Sequence, residues 1–122
     1  MNKTYTYRVQ VKNRGLYAEI VYDTFFTQGD KSEIVIEYLA IKEWELPCKT
    51  GIILFFDYFT RQNFGKLTVT IHEIKWLPVD TNKLVVLFAS IKALCEGLNF
   101  QVEKLEFDSS TETFNFPERR SI

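Results

Sequence analysis

A chain of 122 residues, 46% of them hydrophobic, is long enough to fold as one domain without disulfide or metal staples. Its formal net charge of −1 gives no overall attraction to nucleic acid or an anionic membrane, so any such binding must be local. The 11 phenylalanines, six tyrosines and two tryptophans imply an aromatic-rich core or a partly exposed aromatic face.

Cys48 and Cys95 each lie inside an apolar, helix-like pattern and read as buried free thiols rather than a disulfide or a metal site. The single histidine, His72, and the lack of CxxC or HxxxH spacing argue against structural zinc. The opening MNKTYTYRVQ lacks a signal-peptide core, and no apolar run approaches the ~18 residues of a membrane span. The expectation is a cytoplasmic protein with no membrane partner.

In chain order, TYTYRVQV alternates as a strand and KNRG turns it back. LYAEIVYDTFF resumes the β pattern until Gly29 and Asp30 mark a second reversal, and EIVIEYLAI alternates again. Three strands with short connections predict an antiparallel meander. The period then changes, because Cys48, Ile52, Phe55, Phe56 and Phe59 recur at three and four and predict a helix over 48–63. KLTVTIHEIKW is a strand with Leu67, Val69, Ile71 and Glu73 on one side and His72 and Ile74 on the other. Asp80 or Thr81 then caps a helix over 81–97, which Gly97 stops. FQVEKLEF is a last strand, and the chain from Asp108 is a polar tail without pattern. The order β-β-β-α-β-α-β predicts an α+β two-layer sandwich, a mostly antiparallel sheet with both helices on one face, in a single domain over 1–107.

Catalytic signatures are not apparent. GxxxxGK[ST], GxGxxG and GxSxG do not occur, His72 and Glu73 point to opposite faces of their strand, and Glu43 and Glu45 flank Trp44 without a catalytic partner. The reading is a protein that is not an enzyme and needs no cofactor. One asymmetry stands out: Lys3, Arg8, Lys12 and Arg14 all precede the first acid, Glu19, and the basic turn adjoins Tyr17, a plausible phosphate or RNA contact.

The same loops carry a resemblance. QVKNRGLYAEIVYD resembles the start of domain IV of elongation factor G and related translational GTPases, QxGGRGxYAxVxxx, with Gln10, Arg14, Gly15, Tyr17, Ala18 and Ile20 in register. CKTGI is similar to the VEKGI-like opening of that domain's first helix. VTIHEIKWLPVDT followed by NKLVVLFASIKALCEG is similar to VTLYDGSYHPVDS followed by xxLAFKIAAxxAxxxA. The resemblance runs over 4–107 and implies the domain IV fold with its uncommon left-handed crossover. It also implies that the loop after the matching strand and the first loop form one tip, which in elongation factor G enters the ribosomal decoding centre. Here Ile74 replaces the loop glycine and Leu77 the tip histidine, and Lys12 and Asn13 replace two glycines, while Pro78, Val79, Asp80 and Thr81 are kept. The GTPase machinery is missing.

Two functions follow. The first is association with the ribosome or structured RNA through Lys12, Asn13, Arg14 and Tyr17, with Lys75, Trp76 and Leu77 contributing from the neighbouring loop. The second is a protein-interaction or regulatory module that uses an apolar tip of Ile74, Trp76 and Leu77, against another protein or as a homodimer seam. Loop charge and the resemblance place the first ahead, for a protein that is a monomer or a homodimer.

Overall fold

The computed structural model describes residues 2–12 and 14–116. Its main sheet contains β1 (Lys3–Val11), β2 (Arg14–Gln28), β3 (Glu33–Tyr38) and β4 (Gly65–Lys75). A 3-10 turn (Lys42–Trp44) leads into α1 (Glu45–Phe59), and α2 is Lys83–Gly97. A separate hairpin is built from β5 (Glu106–Asp108) and β6 (Thr113–Asn115).

Alternation sets the core face. Tyr7 and Val11 of β1, Leu16, Ala18, Ile20 and Tyr22 of β2, and Leu67, Val69 and Ile71 of β4 are all buried. Both helices cover this face, α2 against β1 and β2 and α1 against β3, and the two helices pack on each other. The α+β class and the mostly antiparallel sheet with two helices thus agree with the sequence reading.

The meander does not. The strand order is β1-β2-β4-β3, so β4 inserts between β2 and β3, antiparallel to the first and parallel to the second. The chain leaves β3 through the 3-10 turn into α1, and that helix carries it back to the other end of the sheet. The next strand therefore runs parallel to β3. A period-two pattern gives the faces of a strand and says nothing about its neighbour.

A bulge corrects a second expectation. Val21 pairs with Glu73 and Tyr22 with Ile71, which leaves His72 as an extra residue in β4. Beyond it the alternation switches, so Ile74 turns into the core at 4% exposure and Glu73 turns to solvent.

The helix ends also move. α1 starts at Glu45, with Pro47 in its first turn where no intrahelical donor is needed. The cap of α2 is Asn82 rather than Asp80 or Thr81, because Asn82 Oδ1 accepts from Val85 N at 2.9 Å. Gly97, the last residue of α2, makes room for Tyr22, since a Cβ there would lie 2.7 Å from Tyr22 Oη, and the left-handed residue past the helix end is Asn99 at φ 50°.

The last strand is shorter than 100–107. Positive φ at Asn99 and Lys104 breaks the extended run, and Val102 and Leu105 are buried from irregular backbone. The segment after Asp108, read as a tail, returns as β6 and seats Phe114 against Phe88 at 4.7 Å and Tyr7 at 6.2 Å between ring centroids. Polar spacing in SSTET hid this hairpin, whose apolar content is Phe107, Phe114 and Phe116. Positions 117–122 of the expected tail lie outside the described residues.

Candidate functional site: two loops tied at one end

The start of β2 and the loop after β4 meet at one end of the sheet. Tyr17 N donates to Asp80 O at 2.9 Å, and Thr81 Oγ1 donates to Tyr17 O at 2.6 Å. The same hydroxyl accepts from Leu77 N at 2.9 Å, while Thr81 N donates to Leu77 O at 3.1 Å. Thr81 is buried and so ties loop 76–82 into a closed turn and fastens it to β2. Gly15 leaves room for the Asp80 side chain, since a Cβ there would lie 2.8 Å from Asp80 Oδ2. Gly15, Asp80 and Thr81 are thus scaffold residues of the tip.

The expected contact residues fare differently. Lys12 is exposed, with φ 54°, and its Nζ is 3.8 Å from Glu112 Oε2 in the β5–β6 turn. Asn13 lies outside the described residues. Arg14 is exposed and borders a shallow groove with Leu16, Phe107, Glu112 and Phe114. Tyr17 is buried at 9% exposure, with the Arg8 guanidinium carbon 5.0 Å from its ring centroid. Lys75 Nζ is 3.2 Å from Glu19 Oε2. The basic side chains are therefore brought to one end, and two of them already have carboxylate partners.

Glu19 is the hub that the sequence reading missed. It accepts from Thr6 Oγ1 at 3.0 Å and Tyr17 Oη at 3.4 Å in addition to pairing with Lys75. Desolvation pushes its pKa up, but the bonds from Lys75, Thr6 and Tyr17 together outweigh this and hold it below the ordinary carboxylate value. Glu112 was missed as well, since nothing in a polar C-terminal stretch signals that it returns to the tip.

The apolar half of the tip also differs from expectation. Ile74 is in the core through the bulge at His72 and cannot contact a partner. Trp76, 36% exposed, packs edge to face on Trp44 with centroids 5.7 Å apart. Trp44 is buried, and its indole Nε1 has no hydrogen-bond partner among the described residues. Beyond Trp76, Leu77 is 44% and Val79 91% exposed, and Val79 is the apolar side chain that the sequence reading treated only as scaffold.

Elsewhere, His72 Nε2 meets Asp23 Oδ2 at 2.8 Å across the sheet, a partner that adjacent-residue reasoning could not supply. Glu45 pairs with Lys49 at 2.7 Å within α1, whereas Glu43 is exposed. Both cysteines are free, and burial pushes the Cys48 thiol up to about 12. Among the described residues no group of three or more His, Cys, Asp or Glu is placed to hold a metal, and no helix is long and apolar enough to cross a membrane.

No protein-family model matches the chain, and no curated protein matches it in sequence. Solved structures do match: a crystal structure of a Thermus thermophilus protein aligns with 78% of this chain at TM-score 0.58 and 12% identity. The chain covers 15% of that protein's length, so the likeness is to one segment of a much larger molecule and concerns the α+β fold alone.

Proposed function

We propose that the chain is a non-enzymatic, cytoplasmic interaction domain that binds another protein through the apolar tip of Trp76, Leu77 and Val79. In this reading its sandwich is of the elongation factor G domain IV kind, with the left-handed β3–α1–β4 crossover that the resemblance implies. One observation carries the functional part: a loop tied down by Thr81 nevertheless holds Leu77 and Val79 in solvent. Each such side chain gains roughly 1.5–3 kcal/mol when fully buried, and a loop already fixed loses little entropy on binding. Two of the four basic side chains at the same end, Lys12 and Lys75, already face carboxylates within the molecule, Glu112 and Glu19. That moves ribosome or RNA association to second place.

The RNA reading retains one specific support. Arg14 is exposed and forms no ion pair among the described residues, and Arg8 stacks on Tyr17 close by. The two readings separate by capture and ribosome co-sedimentation at low and high salt with Val79→Asp and with Lys12→Ala/Arg14→Ala. Protein binding predicts salt-tolerant capture that is lost with Val79→Asp and kept by the basic pair's double variant. Steeply salt-dependent ribosome sedimentation, lost with the double variant, would replace it with the RNA reading. Concentration-dependent self-association abolished by Val79→Asp would identify the partner as a second copy.

A further inference from the structure

The sheet has two edges, β1 and β3, and the β3 edge is open. Leu39 N donates to Ile71 O at 2.8 Å. In a parallel ladder this turns the N–H and C=O groups of Val35 and Glu37 toward β4, and those of Ile34, Ile36 and Tyr38 away from it. No strand among the described residues pairs with those outward groups. On the solvent face, Glu33, Val35 and Glu37 stand at successive period-two positions, all exposed. Lys66 neighbours Glu33 across the ladder, yet neither carboxylate closes an ion pair among the described residues.

We propose that the β3 edge accepts one further strand, an extended segment of another protein with Lys or Arg at every second position. The outward backbone groups supply the ladder, and Glu33 and Glu37 select the sequence that joins it. A second copy of this chain is opposed in one register. Antiparallel self-pairing centred on Val35 would set Glu33 opposite Glu37 on both sides of the two-fold axis, which places like charges directly across from each other. The glutamates that oppose that register are also the groups that favour a basic strand. Past Tyr38 the edge runs into exposed Leu39 and Ile41, which offer the incoming segment an apolar contact at its end. None of these residues belongs to the Trp76–Val79 tip, so this site stands apart from the function proposed above.

The test uses a labelled, end-capped peptide of alternating lysine and threonine, a glutamate–threonine peptide as its counterpart, and the full chain. Fluorescence anisotropy should show the lysine peptide binding, and hydrogen exchange should slow at the amides of Ile34, Ile36 and Tyr38. Glu33→Lys with Glu37→Lys should weaken that binding about tenfold and gain binding of the glutamate peptide. Should that variant melt early, Glu33→Gln with Glu37→Gln gives the loss without the gain. Val79→Asp should leave peptide binding unchanged. Equal binding of the two peptides, indifference to charge reversal, or protection at amides other than those three would overturn the proposal.

Discussion

At the residue scale, the tip depends on one hydroxyl more than on any charged group. Thr81 Oγ1 both donates to Tyr17 O and accepts from Leu77 N in a buried position. Thr81→Val keeps the shape and orphans both partners, so unfolding should become easier by about 1–3 kcal/mol, read from chemical denaturation. Amide exchange at Leu77 should accelerate with it. Glu19 makes the same end sensitive to acid. Its pKa is lowered on folding, so its contribution is fully present above the unfolded value of 4.5 and is lost as pH falls through the lower folded value. A melting-temperature profile should therefore drop below pH 4.5 more steeply for the natural chain than for Glu19→Gln. Parallel profiles would show that the Lys75, Thr6 and Tyr17 contacts do not favour the ionised form.

At the element scale, two helix features are decided by close contacts. Asn82 caps α2, so Asn82→Ala should cost about 0.5–2 kcal/mol, while Asp80→Ala removes no cap. Thermal melts of the two variants side by side give the comparison, and a larger loss for Asp80→Ala would place the helix start wrongly. Gly51 lies where α1 crosses α2, and a Cβ there would be 2.6 Å from Leu87 O and 3.2 Å from Ser90 Cβ. Alanine gains roughly 1 kcal/mol of helix propensity over glycine. The contact is with backbone that cannot rotate away, and forcing the helices apart costs about 1–3 kcal/mol. Gly51→Ala should be net destabilising in denaturant titrations, and a stabilised variant would mean that the helices tolerate a wider spacing.

At the scale of the whole molecule, the β5–β6 hairpin completes the core. Tyr7 of β1 and Phe88 of α2 touch edge to face at 5.3 Å between ring centroids, and Phe114 packs on both of them. Phe114→Ala should lower stability by about 1.5–3 kcal/mol and raise the exposure of Tyr7, measurable by tyrosine fluorescence alongside the denaturation midpoint. An unchanged midpoint would make the hairpin an appendage. The Lys12–Glu112 pair, exposed and 3.8 Å long, adds little to this docking energy. The aromatic contacts carry it.

Local chemistry made much of this legible in the sequence. Period two fixed the strands and the core faces of TYTYRVQV and KLTVTI, and period three to four fixed both helices, whereas the meeting of two loops at one end was implied only by the family resemblance. Three things needed the folded chain. Strand neighbours are set by how α1 returns the chain, and no strand pattern encodes that. The side on which Ile74 lies is set by the extra residue at His72, since a single unpaired residue inverts every position after it. The state of the tip charges depends on Glu19 and Glu112, whose carboxylates reach Lys75 and Lys12 only because strand pairing and the C-terminal hairpin bring distant segments together. A sequence displays which groups it carries, whereas Coulomb attraction and burial act on distances that tertiary packing alone creates.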